Sequence, residues 1–184
     1  MTAVEPSGSV RFTNTAVAIH WTAAALIVCA FPLGLYMADL PLSPTKLKLF
    51  SYHKWIGMTV LFLSIARVLW LLGHRPPPLP ASMPRLQQVA AHGLQHLLYL
   101  LLFAIPITGW IMSSAKGFQV VYLGVLPLPD LVSKDKALGE LLEGIHEALN
   151  WCLFVLFTLH VAAALKHHFV ARDGVLVRML PFLK

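Results

Sequence analysis

Apolar and polar positions in this chain separate into long blocks and do not alternate. Phe12 to Ala38 runs for 27 residues without Asp, Glu, Lys or Arg, more than the ~20 helical residues needed to cross a bilayer core. A second apolar block runs from about Ser51 to Gly73, with His53 and Lys54 at its mouth and Arg67 near its far end. The third, Leu86 to Ser114, belongs to a stretch of 30 residues (Leu86 to Ala115) without formal charge. The fourth covers 145–170 and is uncharged from Ala148 to Leu165. The pattern predicts an all-α, integral membrane four-helix bundle in one domain over 1–184, with spans at about 12–38, 51–73, 86–114 and 145–170. Four spans place both termini on one side, called here the terminal side.

The segments between the blocks carry the chain breakers. Pro41 and Pro44 end the first span and predict a short loop containing Lys46 and Lys48. HRPPPLPASMPR, His74 to Arg85, cannot be helical over most of its length. Pro106 and Gly109 predict a kink in the third span, which membrane helices tolerate. Lys116 to Val132 reads as a connector, and SKDKALGELLEG as an amphipathic lead-in to the last helix with Ser133 as its N-cap. The first block is too long for a signal peptide and has no convincing small-residue cleavage site before Asp39, so it is expected as a retained helix.

Composition agrees: 58% hydrophobic residues, 12% charged ones and a mean hydropathy of +0.72 leave too few polar groups to cover a wet surface. Cys29 and Cys152 stand alone within apolar runs, which excludes a disulfide framework, a cysteine zinc site and covalent CxxCH haem attachment. Both are expected as small buried hydrophobes. With the N-terminus inside, Arg11, Arg67, Arg75, Arg85, Lys166, Arg172, Arg178 and Lys184 lie at or near the cytoplasmic side. Lys46, Lys48, Lys54, Lys116, Lys134 and Lys136 then lie outside, and eight against six favours cytoplasmic termini.

Histidines within the apolar blocks carry the candidate chemistry, because polar groups in hydrocarbon are costly. His146 and His160 are fourteen residues apart, about 21 Å along a helix and within roughly 40° on one face. Topology sorts four histidines into two layers. His20, early in the first span, and His160, late in the fourth, lie toward the terminal side; His53 and His146, each opening its span, lie on the opposite side. Zinc usually takes four ligands, and each layer offers two. A haem needs only two axial imidazoles, and a bundle core is a usual home for it. Gly57, Gly144 and Ala162 to Ala164 are small residues beside these histidines that suit a flat ring approaching backbone.

Other polar residues keep two readings. His92 and His96 compete as ligands, line a proton or quinone pocket, or face headgroups; His74, His167 and His168 read as interfacial and solvated. Arg67, fourteen residues after His53, lies at the depth of the His20/His160 layer and either meets a haem propionate or snorkels outward. Lys46, Lys48 and Lys54 crowd about His53 as a positive funnel for small anions, or simply form a solvated loop.

AIHW around His20, YHKWIG around His53, HGLQHLLYLLLFAIPITGW, GIHEALN, TLHVAAALKHH and the HRPPPLP loop together resemble the bacterial cytochrome b561 family over nearly the whole chain. The resemblance implies a four-helix inner-membrane protein with two non-covalent b haems, whose iron takes His20 with His160 and His53 with His146 as axial ligands. It lies nearest the family's superoxide-oxidising members, which implies an oxidoreductase of the superoxide:quinone type passing electrons from periplasmic superoxide to ubiquinone. The expected partners are membrane lipid, quinone and superoxide, with no nucleic acid. The alternative is a haem b anchor or relay subunit between quinone and a partner dehydrogenase or hydrogenase, docking through Lys116 to Lys136. A transporter relaying protons through its histidines would be colourless, whereas a cytochrome is red.

Overall fold

The computed structural model describes residues 11–80 and 82–180; Lys184, counted in the charge balance, lies outside the described residues. Four helices follow in order: α1 (Asn14–Asp39), α2 (Pro44–Gly73), α3 (Arg85–Ala115) and α4 (Lys136–Lys166). Each is long and apolar enough to cross a membrane, α4 together with the turn that follows it. This is a multi-pass membrane protein. Pro32 lies inside α1 and Pro106 inside α3 without ending either helix, since neighbouring helices can satisfy the freed backbone groups.

Side-chain caps explain where the helices start. Thr13 Oγ1 accepts from the Ala16 amide at 3.3 Å, and Ser43 Oγ from that of Lys46 at 3.2 Å. Pro44 then occupies the first turn of α2, where its missing N–H costs nothing. The second helix thus begins seven residues before the expected Ser51 and carries Lys46 and Lys48 in its opening turns instead of a loop. Asp135, not Ser133, caps α4, its Oδ1 accepting from the Leu138 amide at 3.0 Å. Asp and Ser are comparable caps, so the choice between neighbours falls to the path of the connector.

Helices pack in chain order, α1 on α2, α2 on α3 and α3 on α4, while α1 and α4 share no comparable backbone packing. Many large apolar side chains face outward, among them Leu42, Leu72, Leu86 and Val170, because acyl chains solvate them as well as a protein core would. Cys29 and Cys152 are also exposed. That corrects the expectation of burial: in a lipid-solvated bundle an apolar position need not face another helix.

The connector folds back onto α2 and α3. Val120 joins Met58 and Leu61 in a buried cluster flanked by Phe103, Trp110, Tyr122 and Leu128. Trp55 Nε1 donates to the Val121 carbonyl at 2.7 Å, and Trp110 Nε1 to that of Pro129 at 3.1 Å. A small hairpin pairs β1 (Val121–Tyr122) with β2 (Leu126–Pro127). Its turn places Leu123 and Gly124 at φ 53° and 75°, the two left-handed positions of a tight hairpin turn that glycine tolerates without strain.

On the terminal side, α4 ends in a π-helical turn, His167–Ala171, and Arg172 adopts the left-handed conformation that reverses the chain. The tail then crosses beneath the bundle. Trp21 Nε1 donates to the Met179 carbonyl at 2.8 Å, and Arg178 Nη1 to that of Pro78 at 2.5 Å.

Replacing Asp135 by Ala is expected to destabilise the protein by about 1 kcal/mol through loss of the α4 cap. Thermal unfolding of the detergent-solubilised protein, followed by helix signal, should show a midpoint several degrees lower, and the same change at Ser133 should leave it in place.

Candidate functional site

Four imidazoles converge between helices in two separate places. The ring centres of His20 on α1 and His160 on α4 are 6.2 Å apart, with planes inclined at 65°. Those of His53 on α2 and His146 on α4 are 6.3 Å apart and inclined at 76°. All four side chains are partly shielded, none fully exposed. His146 and His160 share a face of α4, so that helix supplies one ring to each layer while α1 and α2 supply the other.

The neighbours that set these rings lie on the adjoining helices. A Cβ added at Gly34 of α1 would meet His53 Cε1 at 3.2 Å, and one at Gly109 of α3 would meet His146 Cε1 at 3.1 Å. Each glycine therefore lets a neighbouring helix approach an imidazole edge. Nothing lies within 4 Å of an added Cβ at Gly57 or Gly144, so neither of these glycines is in contact with an imidazole. Gly34 and Gly109 were missed because a glycine on another helix has no fixed spacing to the histidine it faces. The available signal was an interior glycine in an apolar helix, two residues after Pro32 in one case and three after Pro106 in the other.

Hydrogen bonding differs between the rings. Thr108 Oγ1 lies 3.3 Å from His146 Nδ1 and also donates to the Ile105 carbonyl at 2.9 Å. A hydroxyl at that nitrogen orients the ring and leaves Nε2 for a ligand. His53 Nδ1 is buried without a hydrogen-bond partner among the described residues.

The residues fit a bis-imidazole haem. An imidazole nitrogen binds a first-row metal ion at roughly 2 Å and stands about 1 Å from its own ring centre, so two rings on opposite sides of one ion have centres about 6 Å apart. Both pairs have that separation. Among the described residues no three His, Cys, Asp or Glu side chains cluster, so the protein offers two ligands per layer, and a macrocycle that brings its own four nitrogens suits that number.

Other candidate residues divide. Arg67 Nε donates to the Tyr99 hydroxyl at 2.6 Å and Nη1 to the Ala16 carbonyl at 3.2 Å, so the guanidinium is held within the bundle and does not snorkel outward. Lys46 Nζ donates to the Ala38 and Leu40 carbonyls at 3.0 and 2.5 Å, closing the end of α1. Lys54 Nζ reaches the Phe118 carbonyl at 3.1 Å, while Lys48 lies over the Tyr52 ring. Two of the three lysines thus carry anchoring roles besides charge. His92 and His96 are exposed, and His96 Nδ1 is bonded to the His92 carbonyl oxygen at 2.7 Å; neither approaches the imidazole pairs closely enough to stack with them. His74 stacks on Trp70, and His168 meets the Phe169 ring edge-on.

His167 departs from its expected solvated role. It is 8% exposed, its Nδ1 bonded to Asp173 and its Nε2 3.1 Å from Gln87 Nε2 of α3. The reversal at Arg172 brings Asp173 back against the helix end, which no helical periodicity anticipates.

The prokaryotic cytochrome b561 family model matches residues 11–182. The chain belongs to that family. This cytochrome b561 is 37% identical to Cytochrome b561 homolog 2 of Escherichia coli (strain K12) over 179 residues, covering 92% of this chain and 94% of the relative. It is 28% identical to Probable superoxide oxidase CybB of Yersinia pestis, covering 93% and 96%, and 26% identical to Cytochrome b561 homolog 1 of E. coli, covering 93% and 97%. Membership makes it a membrane electron-transfer protein that binds haem b, and the proton-relay transporter reading falls.

Gly109→Ala and Gly34→Ala should each displace an imidazole edge, because the new methyl would stand closer than ordinary contact. The expected outcome is loss of much of the haem absorbance per chain in the purified protein. Gly93→Ala, with nothing within 4 Å of its added Cβ, should keep the wild-type ratio.

Proposed function

We propose that this cytochrome b561 is a superoxide:ubiquinone oxidoreductase of the bacterial inner membrane, with both termini in the cytoplasm. It holds two b haems, one between His20 and His160 and one between His53 and His146. The observation that carries the proposal is the pair of near-equal imidazole separations, 6.2 and 6.3 Å, in two layers of one bundle. Haem b, when bound, supplies a one-electron carrier in each layer.

The remaining work belongs to the chain. Two superoxide anions yield two electrons and two molecules of oxygen, and one ubiquinone takes up those electrons with two protons. Lys46, Lys48 and Lys54 set positive charge about the His53/His146 side, where an anionic donor is drawn in. The ammoniums of Lys46 and Lys54 are held in place there by backbone carbonyls. The low-dielectric helices between the layers exclude water and hold the ligands in place. A relative of similar length in Yersinia pestis named as a probable superoxide oxidase supports the choice of donor.

The deciding experiment is an anaerobic pulse of superoxide onto the oxidised purified protein, with and without ubiquinone, while haem absorbance is followed. Fast reduction that drains into quinone is expected; haem that stays oxidised would overturn the superoxide reading. Replacing Lys46, Lys48 and Lys54 together by Gln should slow the reaction roughly three- to tenfold at low salt and flatten its salt dependence. Lys48→Gln alone should show part of that effect without loss of stability, since Lys48 anchors no backbone group.

A second reading is a relay subunit between quinone and a partner dehydrogenase or hydrogenase. Its supporting observation is the connector, where Phe118, Leu123, Val125 and Leu126 expose apolar surface about the hairpin. A second chain co-purifying in stoichiometric amount, together with silence toward superoxide, would establish it.

A further inference from the structure

Arg67 is a full charge inside a membrane bundle, and an intramembrane cation marks function by default. Three helices hold it: it projects from α2, donates to Tyr99 on α3 and donates to the Ala16 carbonyl of α1. Ala16 lies one turn before His20 on the same helix. The guanidinium is within Coulombic reach of both His20 and His160. Among the described residues no carboxylate lies within ion-pair distance of it. On the His53/His146 side the lysines are bonded at the helix mouth and the connector, Lys46 to the Ala38 and Leu40 carbonyls and Lys54 to the Phe118 carbonyl, and not clamped between helices as Arg67 is. The two layers are alike in their ligands and unlike in their fixed charge.

A positive charge stabilises whichever redox state beside it is the more negative, and it does so strongly where water is excluded. Arginine keeps its proton at any physiological pH, so this charge does not switch off. We propose that Arg67, clamped by Tyr99 and the Ala16 carbonyl, is the positioning residue that makes the His20/His160 layer the electron sink of the chain. The inference rests on the two-haem reading above. One electron leaves the His53/His146 centre, which is oxidised, and one arrives at the His20/His160 centre, which is reduced. The charge of the second layer falls by one unit, no bond is made or broken, and no proton is exchanged. Net flow then runs from the lysine-lined side toward the terminal side.

The test uses the purified haem-loaded protein and its Arg67→Gln, Arg67→Lys and Tyr99→Phe variants. Haem per chain is counted as the pyridine complex, and the two midpoints are read by optical redox titration. In Arg67→Gln the higher midpoint should fall so that the electron-sharing constant between centres drops at least tenfold, 59 mV for a one-electron couple, with the lower midpoint unmoved. Arg67→Lys should retain most of the wild-type gap, and Tyr99→Phe should show a smaller fall of the same sign. Wild-type midpoints in Arg67→Gln, or an equal shift of both, would overturn the inference. Should Arg67→Gln lose a haem, wild-type midpoints in Tyr99→Phe would overturn it instead, and a fall there would support it. A wild-type protein with one haem would sink the two-haem reading itself, and the inference with it.

Discussion

A polar ring in the hydrocarbon region is costly, and in this protein four imidazoles stand there in two facing pairs between helices. Hydrophobic burial cannot organise such a bundle, because acyl chains solvate leucine as readily as a neighbouring helix does. The exposed leucines and valines around the outside of the four helices show that side-chain burial is sparse. What distinguishes the inner faces is small residues, hydrogen bonds and histidine. The chain-order packing leaves α1 and α4 related through side chains, His20 with His160 and Phe31 with Trp151 and Phe154, and not through close backbone packing. Haem binding in a family member of this kind therefore belongs to the same physics as helix association.

The His53/His146 layer repeats one structural device. Gly34 on α1 faces His53 on α2, and Gly109 on α3 faces His146 on α4. In each case an interior proline two or three residues earlier leaves its helix continuous while removing one backbone donor. A glycine facing an imidazole edge lets two helices come close enough to fix the ring's position without a bulky side chain between them. This is preorganisation by subtraction, and it needs no polar partner at every nitrogen.

The two ends of the bundle are built differently. On one side the connector is bound down over α2 and α3 by two tryptophan indoles and a buried valine, with lysines around it. On the other, the chain's last described residues cross beneath the helices and are tied to Trp21 and Pro78, and His167 is locked between Asp173 and Gln87. Charge follows the same asymmetry: Lys46, Lys48 and Lys54 at the helix mouth on one side, one clamped arginine in the bundle toward the other.

Length, hydropathy and the positions of four histidines were enough to determine a four-span membrane bundle, because the bilayer imposes a length on every span and a cost on every polar group within it. The sorting of His20 with His160 and His53 with His146 into layers followed from chain direction alone, since alternate spans run oppositely. Resemblance across whole motifs pointed to the family. Only the tertiary structure decided which glycines face the rings, that Asp135 caps α4, that Lys46 and Lys54 are tied to carbonyls, that His167 is buried and that Arg67 turns inward. Each of these depends on a contact between segments distant in the chain, such as α2 with α1 or the tail with α3. Periodicity along one helix determines which face a residue occupies, but the neighbour that meets that face is chosen by packing.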